Sequence, residues 1–402
     1  MADERLMRAW RVFRSAVLDP KPQADDATAV AELAREQAPV VWLLGKVQSG
    51  KTSIVRAITG HPEAEIGRGY QPCTRTARIF DFPPEAPVIR FLDSSGFGDA
   101  GYDPSEDLAA LESRAHVVLA VARAMDSRQH ELLRVLREVR ERHPDWAVVV
   151  AQTWLHEGYP EGADHPPYER LADAPELADL RRALAMQAAL FKELPGTGAV
   201  YTVPIDFTRP EEGYSNPYYG LDALLDALEQ AGSAGMNVIL RSLAARGSDR
   251  LAARARPHVL GYAIAAAASD ALPVVGFVTV PMIQAKMLHS LGRIYGLDWN
   301  RRTLGRFAAS LGTGTLASIG LKLGARQLAK LVPGYGQTIG AAAASAASFS
   351  VTYALGRAAS YYLGAARRGE VDRSEVARVY RESLKEAFDI VRKAGMHRDE
   401  KR

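Results

Sequence analysis

Short apolar runs alternate with amphipathic helical patterns through the first part of the chain. Residues Val40 to Leu44 form a wholly apolar run after Pro39, which predicts a buried strand. Five later runs predict further strands: ARIFDF, VIRFLD, HVVLAVA, WAVVVAQ and AVYTVPI. Helical patterns lie among them: IVRAITG, QHELLRVLREVRER, a segment near 175–193 and LDALLDALEQ. This order is typical of a doubly wound, largely parallel α/β sheet, which we expect over residues 39–232.

Three segments depart from this pattern. The proline-rich, acidic stretch at 156–176 predicts an inserted surface loop. Residues 1–38 predict two amphipathic helices, at 5–17 and about 27–37. After Gly235 the strand patterns stop, and widely spaced arginines among Ala, Gly and Leu predict an all-helical domain over 236–402. Its last helix, VARVYRESLKEAFDIVRKAG, has one apolar stripe, which we expect to pack on the protein's own N-terminal helix or sheet domain.

The composition is that of an ordinary globular protein with an uneven charge. The chain has 402 residues, 47% of them hydrophobic and 24% charged, which suffices for two or three domains. The single cysteine, Cys73, excludes an internal disulfide, and the charged N-terminus does not fit a secretory signal, so we expect a reducing cytoplasm. Residues 236–402 hold about 25 Lys and Arg against about 11 Asp and Glu, whereas the first 235 residues are acidic. The two parts are expected to meet different partners.

Residues 45–52, GKVQSGKT, match a phosphate-binding loop and lie between a predicted strand and a predicted helix. In such a loop, backbone N–H groups surround a β-phosphate at a helix N-terminus, and the lysine neutralises the β- and γ-oxygens. We assign a catalytic role to Lys51 and Mg²⁺ ligation to Thr52. The nucleotide-binding residues predicted here are Gly45, Lys46, Val47, Gln48, Ser49, Gly50, Lys51, Thr52 and Ser53.

A second element of phosphate chemistry follows the strand VIRFLD, which leads into Asp93-Ser94-Ser95-Gly96. A carboxylate at the end of a strand beside the phosphate loop can hold a Mg²⁺-bound water. We therefore predict Asp93 as a metal residue and Gly96 as a catalytic residue whose N–H contacts the γ-phosphate.

Three segments together, GKVQSGKTS, PCTR and FLDSSGFGD, resemble the Era-like branch of translation-factor-related GTPases, over roughly residues 40–230. The resemblance implies a P-loop GTPase domain that uses GTP and Mg²⁺, with Thr74 as a catalytic residue and metal ligand in the first switch and Thr76 as the alternative. Phe97 follows Gly96 where Ras-like proteins place a glutamine, which implies slow intrinsic hydrolysis. Gln48 replaces the Asn of K⁺-dependent relatives and does not favour K⁺ activation.

The base-reading motif departs from the family. Relatives carry NKxD or TKxD where this chain has Thr153-Trp154-Leu155-His156. Thr153 can replace Asn as a loop brace and Trp154 can stack on a purine, but His156 cannot reproduce a carboxylate. A shifted register with Glu157 stays open, as does a Trp154 that belongs to the core. Guanine specificity is thus implied by the resemblance alone.

The helical half contains nearly uncharged stretches at 257–285 and 331–356. The segment LPVVGFVTVPMIQAKMLHSLGRIYG, with the later VPGYGQTIG, resembles the helical domain of unknown function fused to bacterial Era-like GTPases, which is usually regarded as membrane-associated. Together with the basic charge, this favours anionic lipid as a partner at the cytoplasmic face of the membrane, with peripheral and integral attachment both open. Self-association also stays open, and nucleic acid is less favoured because aromatic residues do not interleave the basic ones.

The sequence therefore predicts an α/β doubly wound P-loop GTPase domain followed by an all-α helical domain. The expected function is a nucleotide-dependent switch at the membrane with slow GTP hydrolysis. Two alternatives remain: a nucleotide-dependent scaffold that does not hydrolyse GTP, and a membrane-active pore or remodelling effector gated by the GTPase domain.

Overall fold

A computed structural model describes residues 17–18, 24–60, 71–72, 77–94, 115–232, 239–240, 243, 249–271, 276–312 and 339–399. The chain forms two compact units. Residues 39–81 and 89–244 make up the first, which we call the sheet unit, and residues 1–38, 82–88 and 245–402 make up the helical unit. The N-terminal segment and the short turn at 82–88 therefore belong with the C-terminal helices.

The sheet unit is built on seven strands in the order β2-β3-β4-β1-β5-β6-β7. β1 pairs in parallel with β4 and β5, and the parallel order continues through β6 to β7, whereas β2 pairs antiparallel with β3. The strands are β1 (Val40–Leu44), β2 (Gln71–Pro72), β3 (Ala77–Phe82), β4 (Ile89–Ser94), β5 (Ala115–Arg123), β6 (Val148–Thr153) and β7 (Val200–Pro204). All six predicted strands are present.

Helices connect the strands as the sequence predicts for a doubly wound fold. Within the described residues, the helices of the sheet unit are α2 (Lys51–Thr59), α3 (His130–Arg142), α4 (Ala178–Lys192) and α5 (Leu221–Ala231). The stretch at 156–176 differs from a simple surface loop, because it contains short 3₁₀ turns and buries Leu171 and Ala174 beside Leu177. These apolar side chains pack with Leu180 and Leu184 of α4, which explains why the stretch folds back on the domain.

The core of the sheet unit follows from its apolar strands. Every residue of β1 and of β6 is buried, as expected for strands covered on both faces. α3 contributes Leu132, Val135 and Leu136 to this core. Its buried Arg140 donates hydrogen bonds to the carbonyl oxygens of Pro195 and Gly198, at 2.7 and 2.8 Å, and thereby anchors the loop before β7.

The helical unit contains α1 (Ala24–Gln37), α6 (Arg250–Ala271), α7 (Gly276–Tyr295), α8 (Arg301–Leu311), α9 (Ile339–Arg368) and α10 (Arg373–Asp399). The long α9 packs against α6, α7 and α10, and α1 packs against α6. α10 packs on α8 and α9 with Val376 and Tyr380 buried, so its stripe contacts other helices of the same half. The predicted helix at 5–17 lies outside the described residues except for Val17.

Hydrogen bonds connect polar side chains inside this bundle. Ser348 Oγ donates to Asp270 Oδ2 at 2.6 Å, and Gln284 Nε2 donates to Thr352 Oγ1 at 3.0 Å. Among the described residues, no helix combines the length and the apolar character that crossing a bilayer requires.

The turn at 82–88 is held within the helical unit. Gly261 of α6 lies so close to the carbonyl oxygen of Ala86 that a Cβ at this position would collide with it. Arg293 of α7 donates a hydrogen bond to Glu85 at 3.1 Å. The turn is thus fixed to two helices although it directly connects β3 to β4.

Candidate nucleotide-binding site

The phosphate loop occupies residues 45–50, between β1 and α2. Gly50 has φ 103° and Gln48 has φ 61°, so the loop turns through two left-handed positions before the helix starts at Lys51. A Cβ on Gly45 would collide with the Val121 carbonyl oxygen, which explains the first glycine of the motif. A helix N-terminus leaves the N–H groups of its first turn without partners inside the helix, and such groups stabilise a phosphate bound there.

Lys51 lies across this loop. Its Nζ donates hydrogen bonds to the carbonyl oxygens of Gly45 and Lys46, at 2.6 and 3.0 Å, and lies 3.8 Å from Asp93 Oδ1. Burial lowers the pKa of Lys51, an effect that Asp93 partly offsets. Burial raises the pKa of Asp93, against the opposing effects of Lys51 and Arg78. The ammonium group is therefore placed where additional negative charge would stabilise it.

Thr52 and Asp93 are suited to a magnesium ion. Thr52 is half-buried in the first turn of α2, and Asp93 lies near the end of β4, opposite Leu43 of β1. Asp93 Oδ1 is buried without a hydrogen-bond partner among the described residues. Hydroxyl and carboxylate oxygens are the ligands that Mg²⁺ prefers, so these residues fit the metal that the sequence predicts.

Thr153 connects the end of β6 to the phosphate loop. Its hydroxyl donates to the carbonyl oxygen of Ser49 at 2.7 Å, with a longer contact of 3.3 Å to the Ala122 carbonyl oxygen. This hydrogen bond fixes the phosphate loop to the end of β6, which is the bracing contact that the sequence suggests for Thr153.

Trp154 lies beside the phosphate loop rather than in the core. It is partly exposed, has a left-handed φ of 59°, and its indole Nε1 is 3.7 Å from the position of a Cβ on Gly50. The guanidinium carbon of Arg123 lies 4.6 Å from the centre of its ring. The indole ring thus forms a flat apolar wall next to the loop.

His156 does not point freely into solvent. Its backbone N–H and its Nδ1 both contact Oδ2 of Asp206, at 2.8 and 2.7 Å. Asp206 follows β7, and its side chain is 3% exposed. Both residues line a cavity of 270 Å³ beside the phosphate loop, together with Gly50, Ile54, Trp154 and Phe207.

The sequence interpretation missed two of these features. Asp206 lies some fifty residues after the motif it contacts, and the only signal was an acidic residue at the end of the run AVYTVPI. Lys46 Nζ lies 2.7 Å from Asp126 Oδ2, so this loop lysine is already paired. Val47 is exposed, Ser53 is half-buried in α2, and the predicted residues Thr74 and Gly96 lie outside the described residues, as do Thr76 and Phe97.

Comparisons with known proteins agree with this fold. Residues 40–152 match the family described as 50S ribosome-binding GTPase. The matched segment runs from β1 nearly to the end of β6 and includes the phosphate loop and Asp93. The sheet unit has the fold of a P-loop GTPase domain.

Solved structures show more distant similarity. The small COPII coat GTPase SAR1 from Encephalitozoon cuniculi, an ADP-ribosylation-factor-like GTP-binding protein in complex with GDP, is 14% identical with a TM-score of 0.27, over 45% of this chain and 77% of that chain. The LeoA bacterial dynamin GTPase from ETEC is 12% identical with a TM-score of 0.34, over 98% of this chain and 95% of that chain. No curated protein matches the sequence.

Proposed function

We propose that the protein is a GTP-dependent switch that binds Mg²⁺-GTP at the phosphate loop and hydrolyses it slowly. The observation that carries this proposal is the position of Lys51, whose buried ammonium group lies across the loop within 3.8 Å of Asp93. A lysine so placed neutralises β- and γ-phosphate oxygens.

In this proposal, different residues of the chain bind the phosphates, support the loop and hold the metal. Loop N–H groups and Lys51 bind the phosphates, Thr153 holds the loop in shape, and Thr52 and Asp93 hold the metal. Mg²⁺, when bound, neutralises charge on the β- and γ-phosphates. Thr74 and Gly96 are proposed to complete the site, as the resemblance implies.

Nucleotide binding is the first test. Lys51→Ala should weaken GTP binding at least about a hundredfold, because it removes charge-assisted contacts of about 1.5–3 kcal/mol each. Lys192→Ala, on the exposed end of α4, is the matched control and should bind like the wild type. Equal GTP affinity in a folded Lys51→Ala variant would refute the site.

The rate of hydrolysis separates a switch from a scaffold. Phe97 offers no group to orient the attacking water, so single-turnover hydrolysis should be far slower than the roughly 1 to 100 s⁻¹ of efficient phosphoryl-transfer enzymes. Detectable turnover that Lys51→Ala abolishes supports the switch. A bound GTP that is never hydrolysed would support the scaffold instead.

We further propose that the helical unit attaches the protein to anionic lipid at the cytoplasmic face of the membrane. Besides the basic charge of residues 236–402, the short helix α8 supports this. It buries Leu304 and Phe307 and exposes Arg301, Arg302 and Arg306. Within the described part of the chain, none of these three arginines pairs with a carboxylate. Each cation near an anionic surface contributes about 1 kcal/mol.

Vesicle flotation of the full chain tests this attachment. Arg302→Glu with Arg306→Glu should weaken binding to phosphatidylserine vesicles at least about tenfold, since two attractive charges become repulsive. Arg134→Glu with Arg137→Glu, on an exposed face of α3, is the matched control. Release by high salt indicates peripheral attachment and resistance indicates insertion. Failure to float at low salt would contradict the proposal, and leakage on GTP addition would favour the membrane-active effector.

A further inference from the structure

The cavity beside the phosphate loop contains a carboxylate that the base-reading motif lacks. Thr153 is hydrogen-bonded to Ser49 and the Trp154 ring lies beside Gly50, as the first two residues of the base-reading motif should. His156 therefore occupies the fourth position of the motif. At that position, the contacts of His156 lead directly to Asp206.

Strand pairing brings Asp206 to this place. β7 lies beside β6 in parallel, and the N–H of Ile205 donates to the carbonyl oxygen of Gln152 at 2.8 Å, one residue before Thr153. The backbone of Asp206 then pairs with Tyr219 in both directions, at 3.0 and 3.2 Å. The carboxylate therefore reaches the cavity from the end of a neighbouring strand and is rigidly held there.

Within the described part of the chain, one carboxylate oxygen of Asp206 takes part in hydrogen bonds and the other does not. Oδ2 accepts from the N–H of His156 and faces its Nδ1, while Oδ1 accepts no hydrogen bond from the described part of the chain. The side chain is 3% exposed and lines the cavity. Because Oδ1 receives no donor from the described residues, a ligand that brings N–H groups into the cavity can donate to it.

We propose that Asp206, held by His156, selects guanine in this protein. This inference rests on the proposed function and deepens it. Guanine presents N1–H and the N2 amine side by side, two donors that match a carboxylate oxygen. Adenine presents an acceptor at N1, which a carboxylate repels. Hypoxanthine lacks the amine, and xanthine carries an oxygen in its place.

The natural nucleotides test this without any mutation. The wild-type chain should bind GTP at least tenfold more tightly than ITP and XTP, and ATP should bind more weakly still. Equal affinity for GTP and ITP would overturn the assignment. If the chain binds none of the four nucleotides, the proposed function itself fails, which is a distinguishable result.

Asp206→Asn supplies a gain of function. His156 keeps the side-chain oxygen in its place, so the amide nitrogen faces the cavity and the acceptor becomes a donor. The variant should lose at least tenfold in GTP affinity and prefer XTP over GTP, because O2 of xanthine accepts from the amide. Asp179→Asn, on an exposed turn of α4, is the matched control. An equal loss for all nucleotides would show that Asp206 is structural only and overturn the inference.

Discussion

At the scale of single residues, the site depends on contacts between loops that the chain brings together from afar. Thr153 is the clearest case, because one hydroxyl joins the end of β6 to the phosphate loop. Thr153→Val keeps the shape of the side chain and removes this donor, leaving the Ser49 carbonyl oxygen without it. We expect a loss of about 1 kcal/mol in the free energy of unfolding, together with weaker GTP binding.

Urea unfolding and nucleotide titration check the Thr153 prediction. Thr153→Ser retains the hydroxyl and should behave nearly like the wild type. A Val variant as stable as the Ser variant would show that the hydrogen bond contributes nothing.

His156 gives the site a dependence on pH. Its pKa is raised by the hydrogen bond to Asp206, although burial acts in the opposite direction. The groups that face it are Asp206, Glu157, Glu212, His165 and Tyr214. Because the folded state binds the proton more tightly, this stabilisation is complete below about pH 6.5 and is lost as the pH rises through the raised pKa.

A comparison with His156→Gln isolates this contribution. Burial lowers the pKa of His165, so that residue costs stability as the pH falls, and the wild type alone reports both effects. The stability difference between wild type and His156→Gln, from urea unfolding between about pH 5.5 and 9, should shrink as the pH rises. A constant difference would contradict the assignment.

At the scale of elements, glycine positions decide how closely the helices approach their neighbours. Gly261 of α6 has no room for a side chain against Ala86, whereas a Cβ on Gly305 of α8 meets no described atom within 4 Å. Gly261→Ala should therefore cost about 1–3 kcal/mol. Gly305→Ala, in an open helix interior, should instead stabilise by about 0.5–1 kcal/mol. The midpoints of thermal unfolding of the two variants should shift in opposite directions. Equal shifts would contradict the close packing of Gly261 against Ala86.

Elements were predictable from the sequence wherever local pattern decides them. β1 and β3 have the predicted bounds, because Pro39 and Gly45 flank the apolar run of β1 and Pro83 directly follows β3. The two-residue β2 is too short to give a periodic signal. The 3₁₀ turns near Leu171 were missed because proline and acidic residues hide the few apolar positions that pack on α4.

The features that the sequence interpretation missed depend on contacts between segments that are far apart in the chain. The carboxylate beside His156 was sought within the same loop, but strand pairing supplies it from residue 206. The turn at 82–88 reads like an ordinary surface connection, and only packing against Gly261 assigns it to the helical unit. Neither the position of Asp206 nor that of the turn at 82–88 can be recognised from neighbouring residues in the sequence, since both depend on contacts between distant segments.

At the scale of the whole molecule, the chain passes between the two units four times, after residues 38, 81, 88 and 244. The two middle passages lie at the end of β3 and the start of β4. β4 runs from the turn at 82–88 to Asp93, which faces Lys51. A covalent path of a few residues therefore connects the phosphate site to a segment that is fixed to α6 and α7.

We expect this path to make the helical unit sensitive to the nucleotide. A ligand shifts a conformational equilibrium only if it binds the two states differently. In the proposed function Mg²⁺-GTP engages both Asp93 and Lys51, which lie 3.8 Å apart, so its binding changes what holds the end of β4. Amide hydrogen exchange in 82–88 and in α6 around Gly261 should change when a non-hydrolysable GTP analogue binds. Lys51→Ala should abolish the change, and a response confined to residues 39–81 and 89–232 would show that the path carries no coupling.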